Sequence, residues 1–347
     1  MVLTGVPGGA TARERRRRGR RRRPLYAALD LGTNNCWLLV AHATRDGFRV
    51  VDAFSRIVRL GEGLSRTGRL SPEAMDRTIA ALRICAGKIQ RRGVARARHV
   101  ATAACRQATN CDEFLDLVQH ETGLRLDIIS SGEEASLAAA GCQPLIVADA
   151  SHALVFDIGG GSTELTWLRL EADGSRVGDW VSIPLGVVTL AERFGEDASD
   201  AAYETMVTAV QDHLHPFEMQ HRLSKFVRHD AMQMLGTSGT VTTLAGVHLD
   251  LPRYDRRQVD GTWLTFDQTS RIARQLRTMD CAGRARHPCI GHERADLVVA
   301  GCAILEAICR TWPVGRLRVG DRGVREGMLM AMIQADRRRD SGQHAQA

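Results

Sequence analysis

The 347-residue sequence lacks the features of several protein classes. It has no apolar run near the ~18 uninterrupted residues of a membrane span. Its nine cysteines include no C-x-x-C pair, and its twelve histidines include no H-E-x-x-H motif. Most cysteines lie in apolar stretches, so we interpret them as reduced thiols that pack as small hydrophobes. These absences argue against a membrane-spanning protein, a disulfide-stapled secreted domain and a structural zinc site.

Positive charge is concentrated near the N-terminus. Residues 13–23 hold nine Arg and one Glu, and without them the formal net charge of +7 becomes −1. This segment has no apolar periodicity, so residues 1–24 are predicted to form a disordered arm. The arm contacts polyanions weakly, is a solvated extension, or results from a start codon placed too far upstream. Asp30 interrupts the apolar stretch that follows, which argues against an export signal and favours a cytoplasmic location.

Two glycine turns stand out in the rest of the chain. Each follows an apolar strand that ends in an aspartate, Asp30 in the first case and Asp157 in the second, 127 positions later. Glycine lets the backbone turn sharply and approach a ligand, and successive backbone N–H groups in such a turn bind anions. A carboxylate at the strand end is a ligand for a divalent cation. Two facing turns of this kind predict a clamp on a phosphate–metal unit.

The order of predicted elements repeats after each turn. Three strands (25–30, 36–43 and 48–58) precede alternating helices and strands up to residue 141, and strands at 153–158, 162–170 and 176–185 begin a second series. This duplication predicts a mixed α/β fold of two related domains, 25–149 and 150–335, with a ligand cleft between them. Residues 336–347 are predicted to be a frayed polar tail.

Further candidate residues flank these turns. Glu133 and Glu134 begin a helix, where one carboxylate is placed to act as a general base or both simply favour the helix dipole. The loop Gly236–Thr240 precedes another helix, whose N-terminus suits an anion. Arg59 and Arg106 each follow a strand, and either is a candidate phosphate clamp or a solvated arginine.

Taken in order, these motifs resemble the Ppx/GppA phosphatase family of exopolyphosphatases and guanosine pentaphosphate phosphohydrolases. The resemblance covers residues 25–335 and is most specific at the run Asp157-Ile-Gly-Gly-Gly-Ser-Thr-Glu-Leu165. It implies two actin-like, ribonuclease H-like domains with an interdomain cleft. The chain ends where longer relatives continue into a helical region, so a short form of the family is expected.

The resemblance also implies roles for individual residues. Glu134 would activate the attacking water, Asp157 and Glu164 would hold Mg²⁺ or another divalent cation, and Arg106 would neutralise phosphate charge. The implied phosphate-binding residues are Asp30, Gly32, Thr33, Asn34, Arg59, Gly159, Gly160, Gly161, Ser162, Gly236, Ser238 and Gly239. Such a site catalyses mainly by positioning and charge neutralisation.

Several functions stay open at this point. The first is a Mg²⁺-dependent exopolyphosphatase that removes terminal orthophosphate from inorganic polyphosphate. The second is hydrolysis of guanosine pentaphosphate by the same chemistry. The third is an ATP-binding actin-like kinase or switch protein, and the fourth is a non-enzymatic polyanion-binding module that depends on the arm. A homodimer is a further expectation.

Overall fold

The computed structural model describes residues 24–147, 149–171, 174–195, 199–227 and 231–344. The predicted arm up to residue 23 lies outside these residues. The described chain contains two β-sheets. The strands of the first sheet are β1 (Leu25–Leu31), β2 (Asn35–Thr44), β3 (Gly47–Ile57), β4 (Arg96–Ala101) and β5 (Asp127–Ile128). Those of the second are β6 (His152–Ile158), β7 (Thr163–Glu171), β8 (Gly174–Ile183), β9 (Met232–Thr237), β10 (Trp263–Thr265) and β11 (Arg316–Gly320).

The two sheets share one topology. In the first, the order is β3-β2-β1-β4-β5, and in the second β8-β7-β6-β9-β11 follows the same path, with β10 added at the edge. In both, the first three strands are antiparallel and the next two run parallel to the first. The predicted duplication of an α/β unit is therefore confirmed. Asp30 and Asp157 are the second-to-last residues of the central strands β1 and β6 of the two sheets.

Helices cover the sheets. Those in the first half are α1 (Leu64–Thr67), α2 (Pro72–Arg92), α3 (Ala103–Gln107), α4 (Cys111–Thr122) and α5 (Ser131–Cys142). Those in the second half are α6 (Val187–Phe194), α7 (Asp200–His221), α8 (Ser224–Val227), α9 (Gly239–His248), α10 (Arg256–Val259), α11 (Phe266–Thr278), α12 (Cys281–Arg286), α13 (Val298–Thr311) and α14 (Val324–His344). Among the described residues, no helix is long and apolar enough to cross a membrane.

Local sequence explains where the helices begin and end. The predicted helix at 71–92 begins as expected, because the Ser71 hydroxyl accepts a hydrogen bond from Ala74 N at 3.2 Å and Pro72 occupies the first turn. It ends at Gly93, which has a φ of 63°. Short helices such as α3, α10 and α12 carry too few residues for a periodic signal, and the sequence pattern missed them.

Two helices each pack against the sheet of the other half of the chain. Helix α5 follows the first sheet but packs against β6, β7 and β8 of the second, whereas α14, at the end of the chain, packs against β1, β2 and β3. The two helices cross closely: a Cβ atom added to Gly141 would lie 2.1 Å from Gly323 O, and one added to Gly327 would lie 2.1 Å from Leu137 O. Glycine at both positions is what lets the backbones meet. The exchange ties the two halves together beneath the cleft.

The last helix continues beyond the expected end at residue 335. It extends to His344, so the polar segment predicted to fray is helical over most of its length. Contacts with the first sheet anchor it: the Tyr26 hydroxyl donates to Asp336 at 2.9 Å, and Arg96 pairs with the same carboxylate. Arg337 donates to the backbone oxygen of Arg45 at 3.2 Å. Tertiary contacts thus extend a helix that its own polar sequence did not predict.

Candidate active site

A cavity of about 530 Å³ lies where the two sheets meet. The ends of β1, β6 and β9 open into it, together with the turns that follow them. Of the predicted site residues, those that line it are Asp30, Gly32, Thr33, Asn34, Glu134, Asp157, Gly159, Gly160, Gly161, Ser162, Glu164, Ser238 and Gly239. Residues far apart in the sequence are therefore brought together around one space.

The two glycine turns face each other, as the sequence pattern predicted. Each turn is closed by one backbone hydrogen bond of 2.9 Å, from Gly32 N to Asn35 O and from Gly159 N to Ser162 O. A Cβ atom added to Gly160 would lie 2.9 Å from Thr33 Cβ, and one added to Gly161 would lie 2.7 Å from Thr33 Oγ1. Only glycine allows the turns to approach this closely.

Polar atoms of the first turn lack protein partners. Thr33 Oγ1, Asn34 Oδ1 and Asn35 Oδ1 are all buried, and none has a hydrogen-bond partner among the described residues. A buried polar group without a partner costs about 1–3 kcal/mol. Because the three atoms belong to a turn that lines the cavity, a bound polar ligand would satisfy them.

Five carboxylates line the same cavity, those of Asp30, Glu134, Asp157, Glu164 and Asp321. Burial, followed by repulsion from Glu134, raises the pKa of Asp30 to about 7, that of Asp157 to about 7 and that of Glu164 to about 8. Burial also raises the pKa of Glu134. Such a concentration of buried acids favours either protonation or a cation in their midst.

Glu134 is held by an arginine. Its Oε2 atom accepts a hydrogen bond of 2.7 Å from Arg106 Nη1, which also donates to Ile129 O at 3.0 Å. The Ser130 side chain caps α5 by accepting from Glu133 N at 3.2 Å, which fixes the first turn that carries Glu134. Arg106 opposes the effect of burial by lowering the pKa of Glu134. The neighbouring Glu133 instead points to Arg98, with which it forms an ion pair.

Glu164 is positioned opposite Asp157. The two residues are direct partners in the antiparallel pairing of β6 and β7. Glu164 Oε1 accepts hydrogen bonds from Ser162 Oγ at 2.7 Å and Ser182 Oγ at 2.9 Å. In the first sheet the partner of Asp30 at the same position is Trp37, so the acidic pair is a property of the second half alone.

The third wall is the loop between β9 and α9. Ser238 has a φ of 113° and a ψ of 171°, a conformation that few residues other than glycine adopt. Its hydroxyl oxygen is buried and has no partner among the described residues. Strained backbone of this kind is concentrated at functional sites. Here it turns the chain so that Ser238 and Gly239 face the cavity at the start of α9.

Two residues predicted to bind phosphate do not line this cavity. Arg59 forms a two-point ion pair with Asp296, with its Nη1 2.8 Å from Oδ2 and its Nη2 3.0 Å from Oδ1. Gly236 lies within the buried strand β9, where an added Cβ atom would lie 2.4 Å from Phe156 Cζ. Glycine is therefore needed at this position so that Phe156 can pack against the strand. Arg106 also lies outside this cavity and reaches it through Glu134.

Several lining residues were not assigned a role from the sequence. The strand end after β11 contributes Asp321, Arg322, Gly323 and Arg325, and a separate loop contributes Arg294. The run from Gly320 to Gly327 is rich in glycine and charged residues, a composition that could have indicated a site, whereas nothing in the sequence around Arg294 pointed to the cavity. Trp37 and Tyr254 also line it, and both were overlooked because an isolated aromatic residue usually belongs to a core.

The cavity offers carboxylates of the kind that would hold a magnesium ion together with other ligands. No group of three or more His, Cys, Asp and Glu side chains among the described residues is arranged to hold a metal by itself. Mg²⁺ usually keeps several waters and binds through one or two carboxylates plus substrate phosphates. Asp30 and Asp157, whose pKa values are raised by burial and then by repulsion from Glu134, would supply such carboxylates. The unpartnered oxygens of the first turn supply further acceptors.

The fold and the cavity define an α/β protein of two related halves with an acid-lined cavity where they meet. The family model of the Ppx/GppA phosphatase family matches residues 39–336, so the chain belongs to that family. It is similar to a solved exopolyphosphatase-like protein, with 28% identity, coverage of 89% of this chain and 97% of that chain, and a TM-score of 0.82. These matches and the shared topology of the two sheets confirm the fold class expected from the sequence, an α/β protein of two related halves around a cleft.

Two further solved structures show the same architecture. The Aquifex aeolicus member of the Ppx/GppA family is 28% identical, with coverage of 90% of this chain and 98% of that chain and a TM-score of 0.72. An exopolyphosphatase from Cytophaga hutchinsonii is 23% identical, with coverage of 90% and 98% and a TM-score of 0.81. At that identity the second likeness bears on the fold alone.

Proposed function

We propose that this protein is a Mg²⁺-dependent exopolyphosphatase that hydrolyses the terminal phosphoric anhydride bond of inorganic polyphosphate. The observation that carries the proposal is the position of Glu134. This buried carboxylate lines the cavity, faces two glycine turns and is held by Arg106 at 2.7 Å. A base next to a phosphate cradle is what hydrolysis requires, whereas a kinase would need room for an acceptor in place of water.

In this proposal each group has one task. The Gly159 N–H closes the second turn, and the backbone N–H groups at Gly160 and Gly161 bind the terminal phosphate. Glu134 accepts a proton from the attacking water as the new P–O bond forms, and the bridging P–O bond breaks with its electron pair leaving on the shortened chain. Arg106 keeps Glu134 oriented and ionised. The raised pKa that burial gives Glu134 makes it a stronger base than an exposed carboxylate.

Mg²⁺ would be held by Asp157 and Asp30, with Glu164 placed beside Asp157. When bound, the ion would neutralise phosphate charge and act as a Lewis acid on the phosphoryl oxygens. Glu164 already shares one oxygen between two serine hydroxyls, which leaves its other oxygen for a ligand or for a metal-bound water. We therefore place Glu164 in the outer part of the metal site.

The test is phosphate release from a panel of substrates. Tripolyphosphate, longer polyphosphates, guanosine pentaphosphate and ATP are each incubated with and without Mg²⁺. The proposal expects Mg²⁺-dependent release of orthophosphate from polyphosphates, with a higher kcat/KM than for ATP. Release from none of the polyphosphates would contradict it, and thermal stabilisation by Mg-ATP alone would favour the kinase or switch alternative.

Guanosine pentaphosphate is the second candidate substrate. A specific observation favours it: one wall of the cavity is apolar and aromatic, with Tyr254, Ile290 and Leu297 beside Arg294. Inorganic polyphosphate has no apolar part to place there, whereas a nucleoside does. A kcat/KM for guanosine pentaphosphate above that for tripolyphosphate would make the nucleotide the preferred substrate. The cytoplasmic location, the homodimer and polyanion binding by the arm stay predictions.

A further inference from the structure

A second cavity, of about 330 Å³, adjoins the first on the far side of Arg106. Ser162 lines both cavities, so the two spaces meet at the second glycine turn. The residues that line the second cavity are Arg106, Gln107, Ser131, Ser162, Trp180, Ser182 and Pro184. No acidic residue is among them, in contrast to the five carboxylates of the first cavity. Its polar lining consists of a guanidinium, an amide and three hydroxyls.

Arg106 offers free donors to this second space. Its Nη1 atom is committed to Glu134 and to Ile129 O. Its Nη2 atom lies 3.9 Å from Glu164 Oε1, which is too far for a hydrogen bond. A guanidinium with an uncommitted edge binds oxyanions in a two-point geometry. Because Ser162 and Ser182 donate their hydroxyl protons to Glu164, the Gln107 amide and the Ser131 hydroxyl would complete the coordination of a tetrahedral anion.

Trp180 forms the outer wall of the second cavity. It lies against the first turn of α5, where an added Cβ atom on Gly132 would lie 2.6 Å from Trp180 Cζ2. The Trp180 side chain is nevertheless 42% exposed, which is unusual for so large an apolar residue. The second cavity thus has an anion-binding inner end at Arg106 and an aromatic outer wall in contact with solvent.

We propose that the second cavity binds orthophosphate and is the site through which the hydrolysis product leaves. The inference rests on the proposed function, because it assumes that a terminal phosphate is cut beside Glu134. After the cut, the shortened polymer still fills the first cavity and blocks that way out for the phosphate. Arg106 contacts the base on one side and the second cavity on the other, so it can pass the anion across. The same chemistry would suit a phosphate unit of the polymer, and the experiment separates the two sources.

The experiment titrates inorganic phosphate into the substrate-free protein and follows tryptophan fluorescence. Trp180 lines the second cavity and Trp37 lines the first, so Trp180→Phe and Trp37→Phe are matched variants. The proposal expects the phosphate-dependent signal to disappear in Trp180→Phe and to persist in Trp37→Phe. Loss of the signal in Trp37→Phe alone would place phosphate in the first cavity and overturn the proposal.

The second part of the experiment introduces a negative charge into the cavity. Gln107→Glu places a carboxylate in the second cavity, and Gln119→Glu makes the same change at an exposed position on α4. We expect Gln107→Glu to weaken phosphate binding and product inhibition about tenfold, while Gln119→Glu leaves both unchanged. If Gln107→Glu instead raises only the KM for long polyphosphates, the cavity takes the polymer and the product assignment is wrong.

The two proposals fail in different ways. Phosphate binding is measured without turnover, so it does not depend on which substrate is hydrolysed. Absence of hydrolysis together with an intact Trp180 signal would contradict the proposed function alone. Hydrolysis together with unchanged phosphate binding in Gln107→Glu would contradict the second site alone.

Discussion

Arg106 Nη1 lies 2.7 Å from Glu134 Oε2, and the pair separates the two cavities of the interdomain cleft. The preceding residue of α5 repeats the arrangement at the surface, where Glu133 pairs with Arg98. The Arg106–Glu134 pair therefore adjoins the two glycine turns, whereas the Arg98–Glu133 pair does not. This contrast supplies matched controls for the first and last predictions.

Removal of the Arg106 charge is expected to shift the pH dependence of hydrolysis. Burial raises the pKa of Glu134 and Arg106 lowers it, so Arg106→Gln leaves a carboxylate of still higher pKa. The acid limb of the kcat/KM profile should move to higher pH by about one unit or more. Arg98→Gln should leave the profile in place. An unmoved limb in Arg106→Gln would show that Glu134 is not the titrating base.

In the absence of metal, the free energy of unfolding should fall as the pH rises from about 4 to 8. Asp30 and Asp157 have folded-state pKa values of about 7 against ordinary values of 3.8, and Glu164 has about 8 against 4.5. The folded state thus binds protons more tightly than the unfolded chain, and this contribution is lost as pH rises through 7 and 8.

Mg²⁺ should compensate for this loss, because it replaces the protons between the same carboxylates. Urea unfolding at pH 5 and pH 8, with EDTA or with Mg²⁺, measures the effect. We expect stabilisation by Mg²⁺ at pH 8 and little at pH 5. Equal stabilisation at both pH values would place the ion elsewhere.

We expect that glycine cannot be replaced where α5 and α14 cross without loss of stability. Gly327→Ala would place a methyl group 2.1 Å from Leu137 O and should destabilise the protein by about 1–3 kcal/mol. Gly87→Ala is the matched control, since its added methyl would meet only the end of the Arg91 side chain at 3.0 Å. That helical position should gain up to about 1 kcal/mol. Similar stability changes in the two variants, measured by denaturant unfolding, would contradict the close crossing.

Arg59 is expected to act as a bridge between the halves. Its two-point pairing with Asp296 leaves its charge already neutralised. Arg59→Ala and Asp296→Ala should therefore change the KM for tripolyphosphate by the same factor, within about twofold, because both remove the same ion pair. A much larger rise in KM for Arg59→Ala would restore the phosphate-binding role that the sequence pattern implied.

Local sequence patterns predicted much of the fold and two parts of the site, the glycine turns and the start of α5. Asp30 and Asp157 were predictable because strand, glycine turn and following strand are contiguous in the sequence. Glu134 was predictable as a first-turn residue of a capped helix. These features depend on neighbours within a few residues, where sequence pattern is informative.

The remaining walls depend on contacts that sequence spacing does not encode. Arg325 reaches the cavity only because α14 returns to the first sheet, and there its guanidinium stacks on Trp37 at 4.5 Å from the ring centroid. Arg59 is held by a partner 237 residues away. In a chain with 47 Lys and Arg, position alone could not separate the arginines of the site from the solvated ones.

The most direct test of the account is phosphate release from tripolyphosphate by Glu134→Gln. The substitution keeps the shape of the side chain and removes its ability to accept a proton, so kcat should fall by about 10²–10⁴-fold. Glu133→Gln, which alters only the surface pair with Arg98, should keep wild-type kcat within about twofold. Circular dichroism and thermal unfolding would show that both variants fold. Wild-type turnover in folded Glu134→Gln would contradict the central claim that this carboxylate activates the water.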